Sequence, residues 1–128
     1  MHLFTLCLLA IFFPQMLVGM EEAKTWDDFE KMMGQKGQFV LMSASTPVPN
    51  DNTKEIAGYC AKHPQFKCYY MVEAVVGEGQ PANSFNKHFN NPYDIIVFYK
   101  DGVQKSVIFP DNLPNLPAEM EKGFEKAS

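Results

Sequence analysis

The chain alternates. Helical patterns separate three apolar strand patterns, and the last runs straight into a strand–turn–strand hairpin, an order that few folds accommodate. Thr25 can cap a first helix, with Asp27 and Asp28 at its positive end and Trp26, Phe29, Met32 and Met33 at helical spacing. Gly34 and Gly37 end it. Residues 38–44 (QFVLMSA) form an apolar run of strand length, followed by a turn rich in Pro, Ser and Asn over 45–51. The next helix is expected to be capped by Asn52 with Glu55 three residues on. It carries Ile56, Tyr59 and Cys60 on one face and stops at His63-Pro64. Residues 67–76 read as a second strand, and 83–89 as a short helix presenting Phe85 and Phe89. Residues 94–99 (DIIVFY) give the strongest strand pattern. The Asp101-Gly102 turn then returns the chain through an edge strand at 104–109. A last helix opens near Pro117 and points Met120 and Phe124 inward, weakened by Gly123.

Strands separated by helices imply parallel pairing, and the terminal hairpin adds an antiparallel edge. The expected architecture is α/β, a central four-stranded mixed sheet flanked by helices on both faces. Eleven Phe and five Tyr supply its core.

Residues 3–13 (LFTLCLLAIFF) are continuously apolar and lead through Pro14 to the small residue Gly19. This is the layout of a secretory signal peptide, so 1–19 is expected to be a signal and 20–128 one domain. No Lys or Arg precedes the run. The alternative is a retained anchor, although spanning a bilayer takes about 20 apolar residues and Pro14 interrupts these. Only a retained segment would bring the chain to a membrane. Export implies the secretory pathway, ER lumen or extracellular, where thiols oxidise. Cys60 and Cys68 then remain as candidates for one disulfide, with their mutual pairing left open.

Net charge is −4 and the eleven basic residues are scattered, which gives no footprint for nucleic acid. His63 and His88 have no ligands at metal-binding spacing, and no phosphate loop or hydrolase elbow occurs, so no metal or cofactor is expected. Thiol exchange needs a stabilised thiolate, commonly at a helix N-terminus. Cys60 lies late in its helix and Cys68 opens a core strand, so both read as structural residues.

The element order, the strand 39–44 (FVLMSA) leading into Pro47-Val48-Pro49-Asn50, and the hairpin 97–102 (VFYKDG) together resemble the thioredoxin family. Pro110 takes the place of a glycine usual after the last strand. The likeness runs over roughly residues 24–126 and is nearest to redox-inactive relatives of protein disulfide isomerase. In active members the turn carries Cys-x-x-Cys; here Pro47 and Asn50 stand at the cysteine positions. The resemblance therefore implies a domain that is not an enzyme, a chaperone-like or scaffold module gripping a protein or extended peptide. The family's peptide groove maps onto Val48, Pro49, Pro92 and Tyr93. Its cis-proline position falls on Asp94, with Pro92 the nearest proline, expected to be trans or displaced. Two alternatives stand beside this reading: an atypical thiol–disulfide oxidoreductase using Cys60 and Cys68, and a structural subunit of a larger complex that retains residues 1–20.

Overall fold

A computed structural model describes residues 20–34, 36–45, 47–72, 84–89, 95–110 and 114–128. In chain order its elements are β1 (Met20–Glu22), α1 (Trp26–Met33), β2 (Gln38–Ala44), α2 (Asp51–Ala61) and β3 (Phe66–Val72). They continue with α3 (Ser84–His88), β4 (Ile96–Lys100), β5 (Val103–Ile108) and α4 (Leu116–Lys126). Among the described residues the strands form one sheet in the order β1-β3-β2-β4-β5.

Side chains alternate across that sheet, and each face meets its own helices. Val40, Met42, Phe66, Cys68, Ile96 and Phe98 pack with Ile56 and Cys60 of α2 and Met120 and Phe124 of α4. Phe39, Leu41, Tyr69, Met71, Val97 and Tyr99 pack with Phe29 and Met33 of α1 and Phe85 of α3. Burial on both faces is why the central strands read as unbroken apolar runs.

The α/β fold with helices on both faces is as expected, and three details differ. A fifth strand, β1, pairs parallel to β3 at the sheet edge. The strand after α3 is not parallel: β3 lies parallel to β2, but β4 lies antiparallel to it. β4 starts beside Met42, near the end where β3 finishes opposite Ala44, so the chain re-enters the sheet at the end where it left and runs back along β2. Third, α2 is capped by Asn50, not Asn52. Asn50 Oδ1 accepts from Thr53 N at 2.9 Å, and Thr53 Oγ1 accepts from Asn50 N at 2.8 Å. Thr53 thus takes the part assigned to Glu55, and the helix begins earlier.

At the hairpin Asp101 and Gly102 both have positive φ, 53° and 80°, as a tight two-residue turn requires. Asp101 Oδ1 accepts from Gly37 N and Asp101 N donates to Gly37 O, tying the turn to the α1–β2 connection. Gly123, which weakens α4 as an isolated helix, serves the packing. A Cβ there would lie 2.7 Å from Cδ1 of the Phe98 ring. Gly123→Ala is expected to cost about 2 kcal/mol, overpacking outweighing the gain in helix propensity. A urea denaturation midpoint equal to or above that of the parent would refute this reading.

Candidate functional site

The turn between β2 and α2 is closed by one side chain. Asn50 Nδ2 donates to Ser45 O at 2.7 Å and to Pro47 O at 3.1 Å. Val48 is half-buried, Pro49 is exposed, and the peptide bond between them is cis. Pro92 and Tyr93 lie outside the described residues, as does the question of the Pro92 isomer. Of the four groove candidates the structure thus places Val48 and Pro49. They sit at the N-terminus of α2, where no thiol is present.

The two thiols are at the other end of the same helix. Cys60 falls in the last turn of α2 and Cys68 on β3, and they are joined as a disulfide with Cα atoms 6.5 Å apart. Each is 4 % exposed. The tight link between them follows from the local sequence. His63 N donates to Cys60 O and Phe66 N to His63 O, so the His63-Pro64 stop folds back at once into the strand.

Two other elements, α4 and β1, come to the bridge and its turn. The His63 ring stacks on Phe124 of α4, centroids 3.8 Å apart, and its Nε2 meets Glu121 Oε1 at 3.1 Å. Phe124 also meets Phe66 edge-on at 4.9 Å. Beside Cys68, in register on β1, lies Met20, itself 4 % exposed and part of the same core. Sequence reasoning found the two cysteines but not this setting; the nearness of His63 to Cys60 in the chain was the one available signal.

The electrostatics disfavour a thiolate here. Cys60 stands at the negative end of the α2 dipole, whose last turn carries no basic residue. On β3, burial first and the cross-strand carboxylate of Glu21 second raise the Tyr69 phenol above its ordinary 10.0. Burial and then Glu22 do the same to Tyr70. On the opposite face of the sheet Trp26 stacks on His88 at 3.6 Å. The Tyr99 hydroxyl is enclosed there with no hydrogen-bond partner among the described residues, and desolvation drives its pKa far up. Among the described residues no group of three or more His, Cys, Asp or Glu could hold a metal ion. None of the described helices is long and apolar enough to cross a membrane.

This fold is thioredoxin-like. No protein-family model matches the chain, and no curated protein matches it in sequence. Solved structures do match in shape. Oxidised thioredoxin O2 of Arabidopsis thaliana superposes with a TM-score of 0.58 at 18 % identity, over 84 % of this chain and 96 % of its own. A structure concerned with thiol resolution in the yeast mitochondrial 1-Cys peroxiredoxin via glutathione/thioredoxin systems gives 0.54 at 18 %, over 85 % and 96 %. The Malassezia sympodialis thioredoxin gives 0.50 at 16 %, over 88 % and 96 %. At these identities the likeness establishes the fold.

The expectation that the chain is not an enzyme is corrected here. It rested on the loss of a redox couple with the turn cysteines. Cys60 and Cys68 form a disulfide elsewhere in the same fold, so the empty turn does not remove the possibility of thiol chemistry from the chain.

Proposed function

We propose that this chain is a thiol–disulfide redox protein whose couple is Cys60–Cys68. The observation that supports it is the bond itself, two cysteines of one core joined across the end of α2 and the start of β3. Reduced, one cysteine thiolate attacks a substrate disulfide and forms a mixed disulfide while one substrate thiolate leaves and is protonated. The second cysteine attacks that bond and releases the other substrate thiol. Two electrons and two protons pass from the pair to the substrate. Two equivalents of a small-molecule thiol return them by the reverse exchange and leave as one small-molecule disulfide. The C-terminal end of the α2 dipole does not favour a Cys60 thiolate, which tilts the pair toward giving up electrons and forming the disulfide.

The substrate we assign is a protein or extended peptide. Val48 and Pro49 offer it an apolar contact, but from Asn50 to Cys60 the helix runs about 15 Å, so only an extended segment reaches both ends. An oxidising compartment, toward which the apolar residues 3–13 point, would hold the resting couple closed.

The test is insulin reduction driven by dithiothreitol. The wild-type chain is expected to accelerate precipitation over dithiothreitol alone, and Cys60→Ser and Cys68→Ser are each expected to abolish the acceleration. A wild-type rate equal to the background would end the proposal.

A further inference from the structure

We infer that β1 is a releasable cover over the Cys60–Cys68 bond, so that access to the couple is controlled by local detachment of this edge strand. The inference deepens the redox reading above and rests on it. Both half-cystines are 4 % exposed, so the closed form gives an external thiol almost no path to either sulfur. On β3, Cys68 is flanked by Val40 on one side and Met20 on the other. The Val40 side cannot open cheaply, because β2 is seven residues long and paired along both of its edges. The Met20 side can. β1 has three described residues, and among the described residues its place at the end of the strand order leaves it paired on one side only.

The attachment of β1 is also thin. Of its residues only Met20 is buried; Glu21 and Glu22 are exposed. Ala23 N donates to Tyr70 O at 2.8 Å and marks where the ladder with β3 ends. Edge elements with few buried contacts open at free energies far below that of global unfolding. Met20 shares a core with Ile56, Cys60 and Cys68 and stands in register beside Cys68, so lifting β1 takes one side chain out of the core around the disulfide while α2, β2 and β4 stay in place.

With the cover lifted, a small-molecule thiolate attacks one cysteine sulfur. A new S–S bond forms to it, the Cys60–Cys68 bond breaks, and the released cysteine takes a proton. A second thiol then displaces the first as a small-molecule disulfide and leaves the protein pair reduced.

The experiment measures reduction of the full chain by dithiothreitol under native conditions, quenched by alkylation and read by intact mass. Met20→Ala, Met20→Leu and Ile96→Val are compared with the parent. Ile96 lies in the same core on β4, away from the cover, and its truncation lowers global stability without touching β1. Met20→Ala is expected to speed reduction about tenfold, with Met20→Leu and Ile96→Val within about twofold of the parent and the rates nearly flat in low urea. Met20→Ala without effect overturns the cover. So do rates that follow global stability in every variant and climb steeply with urea. The two ideas fail separately. Fast reduction of Met20→Ala with no insulin reduction by any variant removes the function and leaves the cover. Insulin reduction with no effect of Met20→Ala does the reverse.

Discussion

Phe124→Ala is expected to lower the unfolding free energy by about 4 kcal/mol, a large share of the 5–15 kcal/mol typical of a domain. The side chain is 2 % exposed and holds three rings from three different places. Phe98 of β4 meets it edge-on at 5.1 Å, Phe66 of β3 at 4.9 Å, and His63 lies flat against it at 3.8 Å. Truncation therefore removes a buried ring and leaves a cavity walled by the Phe66, Phe98 and His63 rings, which collapse poorly. The His63–Glu121 pair depends on that stack for its geometry, so α4 also loses a tether to the disulfide turn. Phe109→Ala is the control. Phe109 is 44 % exposed, and its loss should change stability by less than about 0.5 kcal/mol. Urea denaturation of the two variants decides the matter; equal midpoints would mean that α4 packs elsewhere.

Much of this fold was legible because its signals are local. The apolar run 38–44 has the bounds of β2, and Thr25 does cap α1, its Oγ1 accepting from Asp28 N at 3.0 Å. The helical stripes of Phe29 and Met33, and of Met120 and Phe124, face opposite sides of the sheet as their alternation with strands implied. The misses have other causes. β1 turns one side chain inward, and one residue has no period. The direction of β4 depends on how far the chain travels between β3 and Ile96, which strand composition does not encode. Asn50 and Asn52 both carry a plausible N3 partner, Thr53 and Glu55, so the cap pattern alone did not choose between them.

The candidate site was harder to read for a different reason. Resemblance directs attention to the turn before α2, where Pro47 and Asn50 replace the cysteines, and an empty motif there suggests an absent activity. Cys60 and Cys68 stood in plain view, yet their bonding depends on the distance between a helix end and a strand start, set here by the turn His63-Pro64-Gln65. Glu121 and Phe124 come to that turn from α4, 58 and 61 residues beyond His63, and Met20 from the opposite end of the chain. Contacts of that range leave no trace in local periodicity.

Opening the disulfide should cost the domain about 2.5 kcal/mol. The estimate comes from the loop that the bond closes, cysteines eight residues apart, through the chain entropy it removes from the unfolded state. Reduced and oxidised wild-type protein should then differ by on the order of 10 °C in melting temperature. Cys68→Ser is expected to lose more, about 4 kcal/mol in all, because its hydroxyl replaces sulfur in an apolar core and has no assured partner. The Cys60→Ala, Cys68→Ala double variant separates the two terms and should match the reduced parent. The same difference constrains the chemistry. If folding prefers the oxidised form by about 2.5 kcal/mol, linkage makes the native pair more reducing than the same pair in the unfolded chain by about 50 mV. Stability and donor strength are then one quantity measured twice, by denaturation of the two forms and by equilibration against a dithiothreitol redox buffer. Coincident melting curves for the oxidised and reduced protein would deny the couple any hold on the fold, and the shift in potential would have to vanish with it.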